Sequence, residues 1–281
     1  MKIAFVTNPK HPEIEDDDRP LAAALASRGA LVLSASWDDP DFAWDKVDLA
    51  LLRSPWDYCR RYEEFLGWLA RVEAQTHIVN DPGVVRWNMD KRYLLELADK
   101  GVLTVPTAFV ARGEVASLRE LCSMRGWETV VLKPSVSADS WETIRVTPAQ
   151  YEEGQAYLDR HRPDREIMVQ RFVKDVEEGG EHSLMFFGGV YSHAVRKNSL
   201  FMGGRHVGPE GLPSNPGSDS VEMARSVLTK AGVPEIPYAR VDLARDNGGA
   251  PLLLELELFE PTLFFLEKPG SEELLARVLM R

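Results

Sequence analysis

The run LLLELELFEPT, residues 252–262, carries Glu255, Glu257 and Glu260 among leucines and a phenylalanine. Side chains of a strand alternate between two faces, so Glu255 and Glu257 share one face, roughly 7 Å apart, and Leu254, Leu256 and Leu258 share the other. Unpaired carboxylates avoid low-dielectric surroundings. Either this is an antiparallel edge strand with one wet face, or the carboxylates meet a cation. The run YARVDLAR, 238–245, precedes it across the turn residues DNGG. A hairpin there brings Asp242 to the same patch. Hard oxygen donors of this kind suit Mg2+, which combines a few carboxylates with phosphate oxygens and water.

Two lysines offer the complementary charge. Lys133 ends the apolar run TVVLKP, 129–134, just before Pro134, and Lys91 stands at another element boundary. An ammonium on a rigid strand is a point-charge partner for phosphate, although a solvated lysine is the plain alternative for each. The strand-like IMVQRFV, 167–173, can present backbone groups to an adenine edge while its apolar side chains hold the ring; by itself it also reads as a core strand. There is no GxxxxGK[ST] and no GxGxxG after the first strand, so neither a P-loop nor a dinucleotide fold is supported.

Substrate contacts are sought at strand ends. RSPWDY, 53–58, follows a strand-like run, a common site position in α/β layers. There Arg53 can clamp a carboxylate, Asp57 can bind an amine, and Trp56 or Tyr58 can wall a pocket. EDDDRP, 15–20, reads as a solvated acidic turn at a helix start. GGRHVGPEG, 203–211, reads as a flap from which Arg205 reaches substrate, or simply as a loop. His182 and His193 lie on strands and read as structural or cleft-lining.

These residues hang on a regular succession of elements. Strand-like 2–7, 31–36, 48–54 and 77–80 alternate with helical 19–29 and 62–75, which gives a small α/β domain with a mainly parallel sheet. Helices are expected at 89–101, 115–126, 147–161 and 218–231, with a last one in SEELLARVLM. Strands are expected at 105–111, 129–134, 166–173, 180–187, 189–197, 238–245 and 250–258, the Gly188-Gly189 pair marking a hairpin. Residues 105–281 therefore read as α+β.

The 281 residues carry a formal net charge of −11 and only two cysteines, Cys59 and Cys122. An acidic surface argues against general binding to nucleic acid or anionic membranes. Two distant cysteines make neither a disulfide framework nor a zinc site and favour a reducing compartment. The apolar start of MKIAFVTN is short for a signal peptide, and no run approaches a membrane span. The expectation is a cytoplasmic protein, with a homo-oligomer left open.

In order and type these motifs resemble the ATP-grasp superfamily, in the branch that holds bacterial glutathione synthetases and the O-ureido-D-serine cyclo-ligases of D-cycloserine biosynthesis. The likeness runs through NDPGVVRWNMDKRYLLELADKGVLTVPT (80–107), TVVLKPSVSADS (129–140), IMVQRFVKDVEEGGEHSLMFFGGVYSHAVRK (167–197) and ARVDLARDNGGAPLLLELELFEPTLFF (239–265). It implies an ATP-grasp fold: an N-terminal α/β domain at 1–80, a connecting helical segment at 81–104, a small lobe at 105–173 and a C-terminal lobe with the Mg2+ site at 174–281, the nucleotide held between the two α+β lobes. It implies ATP and Mg2+ as cofactors. Lys91 and Lys133 match the lysines on the phosphates. Gln170, Arg171, Phe172 and Val173 match the linker at adenine, Glu181 an acid near the nucleoside, and Arg196 the arginine facing the transferred phosphate. Asp242, Glu255 and Glu257 match the metal ligands, with Glu257 where asparagine is frequent. One departure is the loop after Lys133, PSVSADSWET, which has no glycine where the family has a glycine-rich loop.

The implied activity is an ADP-forming carbon–nitrogen ligase acting on a small amino acid through an acyl phosphate, with ring closure inside one substrate foremost. A ligase joining two amino acids or peptides, and a nucleotide-binding module without catalysis, are the alternatives.

Overall fold

The structure is a computed structural model and describes residues 1–178, 180–197 and 211–281. The chain runs β1 (Lys2–Thr7), α1 (Arg19–Ser27), β2 (Leu31–Ser36), β3 (Leu49–Leu52), α2 (Tyr62–Val72), β4 (His77–Val79), α3 (Pro82–Met89) and α4 (Tyr93–Asp99). Next come β5 (Thr107–Val110), α5 (Leu118–Arg125), β6 (Val130–Pro134), β7 (Ile144–Val146), α6 (Tyr151–His161), β8 (Ile167–Arg171) and α7 (Asp175–Glu178). It closes with β9 (Glu181–Phe187), β10 (Val190–Lys197), β11 (Gly211–Ser214), α8 (Ser218–Lys230), β12 (Tyr238–Arg245), β13 (Pro251–Glu257) and α9 (Glu272–Leu279).

Three sheets result. The N-terminal sheet is parallel, in the order β2-β1-β3-β4. Its near-continuous apolar strands suit a sheet covered on both faces. The middle sheet is antiparallel, β5-β8-β6-β7, and is backed by α5 and α6 through Leu118, Cys122, Tyr157 and Leu158. The C-terminal sheet is antiparallel, β11-β10-β9-β12-β13. One of its faces packs on α8 through Leu184, Phe186, Val241 and Leu243. Among the described residues no helix is long and apolar enough to cross a membrane, and Cys59 and Cys122 are buried and free.

The helix expected over 89–101 is shorter, α4 at Tyr93–Asp99, and a separate helix, α3 at Pro82–Met89, precedes it. Asp81 caps α3, its side chain accepting from the N–H groups of Gly83 and Val84 with Pro82 in the first turn, a start signal legible in Asn-Asp-Pro-Gly. The chain then breaks at Asp90–Arg92, where the N–H of Lys91 bonds to the Ser135 carbonyl at 3.0 Å. β7 and β11 were not expected; both are short edge strands.

β13 is an edge of its sheet, and an unpaired edge strand needs its backbone groups satisfied. Asn88 meets that need as a side-chain stand-in for a neighbouring strand: its Nδ2 donates to the Leu256 carbonyl and its Oδ1 accepts from the Leu258 N–H, both at 2.8 Å. The Leu256 N–H donates to the Tyr93 hydroxyl at 3.0 Å. Leu253 exchanges hydrogen bonds with Leu103 and Val105. The strand that carries Glu255 and Glu257 is therefore fixed along both edges.

Asn88→Ala leaves two buried backbone groups without partners and is expected to lower stability by about 2–4 kcal/mol, read by denaturant unfolding. A change within about 0.5 kcal/mol contradicts this role.

Candidate active site

The register of the last hairpin assembles the charges. Asp242 pairs with Glu255 and Arg240 with Glu257 across β12 and β13, while Asp242 lies opposite Ser183 of β9 and Glu181 lies opposite Lys197 of β10. Directly opposed residues share a sheet face, so Glu181, Lys197, Arg240, Asp242, Glu255 and Glu257 stand on the face away from α8. The irregularity between Asp242 and Leu243 re-aligns the strands beyond this patch.

Every metal-ligand candidate in it has a counter-charge from the protein. Glu255 takes Lys91 Nζ on one oxygen at 2.8 Å and Lys133 Nζ on the other at 3.4 Å. Arg240 holds Asp242 through Nε at 2.9 Å and Nη2 at 3.0 Å and also pairs with Glu257. Lys197 bridges Glu181 at 2.5 Å and Asp242 at 3.1 Å. A buried unpaired charge costs several kcal/mol, and this lattice offsets part of that cost with the protein's own cations. Of the two readings of LLLELELFEPT, a wet face or a cation, the acids here meet cations, and these are side chains of the protein itself. Among the described residues no group of His, Cys, Asp or Glu is arranged to hold a metal ion as it stands, because Lys91, Lys133, Lys197 and Arg240 occupy the carboxylate oxygens. The donor set itself, clustered carboxylates beside clustered cations, fits a magnesium–triphosphate pair that exchanges partners with it.

The protonation pattern follows from burial and partners. Burial opposes the charge of Glu255, but Lys133 and Lys91 hold it down to about 2. Burial likewise opposes Asp242, and Arg240 and Lys197 keep it well below the usual carboxylate range. Burial pushes Glu257 up to about 8 against the pull of Arg240. It pushes Glu181 up to about 7 against Lys197, and Glu260 up to about 7 against Lys91 and Arg240.

Lys91 is 5% exposed and also donates from Nζ to the Ser137 carbonyl at 2.6 Å. This ties the glycine-free loop after β6 to the cluster. Val136, Ala138 and Trp141 pack against the core around the N-terminal sheet. Asp139, Ser140 and Glu142 all have positive φ, at 48°, 52° and 53°, a region costly for residues other than glycine. The loop reaches by strain a course that glycine would give freely.

Arg196 departs from expectation. It lies opposite His182 and alternates with Lys197, so it points to the other face of the sheet and packs its side chain beside Gly180. The cation that β10 brings to the carboxylates is Lys197. Arg205 lies outside the described residues. Of the linker, Gln170 is buried on β8 and donates to Thr107 Oγ1 at 3.2 Å. The N–H groups of Arg171 and Phe172 bond to the carbonyls of Pro106 and Thr129 at 2.9 Å, and Phe172 lies under the Arg145 guanidinium at 4.2 Å. Val173 is buried. His193 is buried on the Phe264 carbonyl, and His182 bonds to Ser214, in keeping with structural roles.

The N-terminal residues have other partners than those expected. Arg53 is 2% exposed, pairs with Asp18 at 2.9 Å and donates to the Pro261 carbonyl at 2.7 Å. Asp18 is accordingly buried rather than part of a solvated turn. Burial pushes it up to about 6 although Arg53 stands beside it. Trp56 Nε1 donates to the Glu260 carbonyl at 3.1 Å. Asp57 accepts from Trp37 Nε1 at 2.8 Å and faces Arg61 at 3.6 Å, so its carboxylate is turned from the cluster. Sequence reasoning missed Lys197, Arg240 and the burial of Glu260. Arg240 was detectable, since it sits two residues before Asp242 on the same strand and shares its face.

Known proteins with this sequence pattern and shape give the family. Residues 3–80 match the family model described as the N-terminal domain of the D-cycloserine synthetase DcsG. The cycloserine biosynthesis protein DcsG of Streptomyces lavendulae is 32% identical over 274 residues, 93% of this chain and 92% of that one. The crystal structure of D-cycloserine synthetase DcsG superposes with a TM-score of 0.93 at 29% identity, over 99% of this chain and 98% of that chain. An ATP-grasp RimK domain protein from Sphaerobacter thermophilus gives 0.71 at 15% identity over 100% of both chains. The ATP-grasp ligase PsnB, solved with a minimal precursor, Mg and ADP, gives 0.62 at 15% identity over 99% of this chain and 97% of that one. At that identity the last two speak for the fold alone. The chain belongs to the DcsG family, with the fold of the ATP-grasp ligases.

Proposed function

We propose that the chain is an ADP-forming ligase that uses ATP to activate the carboxylate of a small amino acid and closes a ring by joining it to a nitrogen of the same molecule. The observation that carries this reading is the lattice of Lys91, Lys133, Lys197 and Arg240 on Glu181, Asp242, Glu255 and Glu257, brought together from two sheets and the break between α3 and α4. The relationship to a cycloserine biosynthesis protein supplies the substrate class. The compound to test first is O-ureido-D-serine.

The residues have separable roles in this reading. The carbonyl of Phe172 and the N–H of Val173 are the linker groups that meet an adenine edge, because the N–H groups before them are already bonded. Lys91 and Lys133 leave Glu255 to take phosphate oxygens. Lys197 does the same from β10, on the side where the transferred phosphoryl group spreads its charge. Asp242, Glu255 and Glu257 are then the ligands for magnesium, which when bound neutralises phosphate charge. The substrate carboxylate attacks the terminal phosphorus, the bond to the ADP oxygen breaks, and an acyl phosphate forms. The substrate nitrogen attacks that carbonyl carbon, the carbon–oxygen bond to phosphate breaks, and the nitrogen loses its proton. Enclosure by the 135–142 loop keeps water from the acyl phosphate.

With Mg2+ and ATP, O-ureido-D-serine alone should release ADP, with one substrate consumed per ADP. ADP release that needs a second amino acid points to a joining ligase, and none with any amino acid points to a binding module. Lys197→Ala is expected to lower kcat by about 100-fold or more, and Arg196→Ala to change it by less than about tenfold. The reverse order of the two would restore Arg196 to the phosphate.

Proton linkage gives a second check. Folded Glu181 and Glu260 keep protons up to about 7, whereas an unfolded chain loses them near 4.5. Between those values the folded state binds more protons, so stability falls as pH rises. Glu255, held down to about 2, adds the opposite slope only below 4.5. The ligand-free protein should therefore melt at a higher temperature near pH 6 than near pH 8, and Mg2+ with ADP should shrink the difference. A melting temperature that rises across this interval contradicts the assigned shifts.

A further inference from the structure

Glu260 is unlike its acidic neighbours. Glu181, Asp242, Glu255 and Glu257 each touch a lysine or arginine. Among the described residues no cation stands within ion-pair distance of Glu260, although Lys91 and Arg240 lie near enough to pull on its charge. It is 8% exposed. The surroundings hold it in place. Trp56 Nε1 donates to its carbonyl at 3.1 Å, Arg53 Nη2 donates to the next carbonyl, of Pro261, at 2.7 Å, and the nearby Tyr58 hydroxyl donates to the Ser137 carbonyl at 3.4 Å. RSPWDY thus positions an acid that the protein leaves without a counter-ion. Burying a carboxylate so costs stability unless a cation arrives.

We propose that Glu260 is the seat for the ammonium group of the amino-acid substrate. The assignment rests on the ligase reading above and on chemical proximity. In an α-amino acid the ammonium lies two bonds from the carboxylate carbon, so its partner must stand beside the place where that carboxylate is phosphorylated. Glu260 lies three residues beyond Glu257 on the segment that carries the acids, and the charges of Lys91 and Arg240 act on it. Arg53 and Trp56 are then positioning residues, which act through the backbone of Glu260 and Pro261 rather than by touching substrate.

The test compares binding of O-ureido-D-serine with that of the same compound carrying hydrogen in place of the amino group, by calorimetry with Mg2+ and ADP present. In the unaltered protein the deamino compound should bind about 10- to 100-fold more weakly, as expected for loss of a charged hydrogen bond. In Glu260→Gln, which keeps the shape and removes the charge, the gap should close to within about threefold. Equal binding of the two compounds to the unaltered protein, or an unchanged gap in Glu260→Gln, overturns the seat. ADP release is read in parallel: a gap in binding without turnover of O-ureido-D-serine overturns ring closure and leaves the seat standing.

Discussion

Ionised carboxylates inside a protein need partners, and the arrangement around β12 and β13 follows from that demand. Asp242 and Glu255 lie opposite each other in one register, with Glu257 next in line. Their mutual repulsion would push all three toward protonation. Arg240, inserted between Asp242 and Glu257, and the lysines on Glu255 and Asp242 keep the patch close to neutral. Because these cations reach in from three separate segments, the charge pattern also joins the connecting helices, the middle sheet and the C-terminal sheet. A ligand carrying its own anionic phosphates and divalent cation can exchange with such a lattice nearly charge for charge. The buried acids are then an asset for binding rather than a liability for folding.

Hydrogen bonds from side chains to backbone carbonyls attach the N-terminal sheet. The Tyr238 hydroxyl lies within hydrogen-bond reach of the carbonyls of Leu52, Val79 and Phe259, between 2.7 and 3.2 Å. Asn80 donates to the carbonyls of Tyr238 and Leu258. Arg53 adds its buried pair with Asp18 and its bond to Pro261. The segment after β13 is thus gripped by side chains from strand ends of a different sheet. Residues suited by type to bind substrate are used instead to fix the backbone that carries Glu260.

Much of this was legible in the sequence, for identifiable reasons. Alternation placed Glu255 and Glu257 on one face, and the DNGG turn set Asp242 across from them. Apolar runs located nearly every strand of the three sheets. What escaped was whatever depends on tertiary partners. Nothing local in NMDKRYL says that Lys91 breaks the helix in order to reach Ser135 and Glu255. Nothing local in AVRK says which basic residue faces inward, because that depends on the register of β10 against β9. The loop PSVSADSWET advertises no left-handed turn, yet Asp139, Ser140 and Glu142 adopt one under the packing of Trp141. The burial of Asp18 is likewise invisible until Arg53 arrives from 35 residues away.

A crystal structure with Mg2+ and a non-hydrolysable ATP analogue tests the exchange most directly. The account predicts Lys91 and Lys133 Nζ on phosphate oxygens, released from Glu255, with the metal ion against Asp242, Glu255 and Glu257. A nucleotide bound elsewhere, with both lysines still on Glu255, would contradict it.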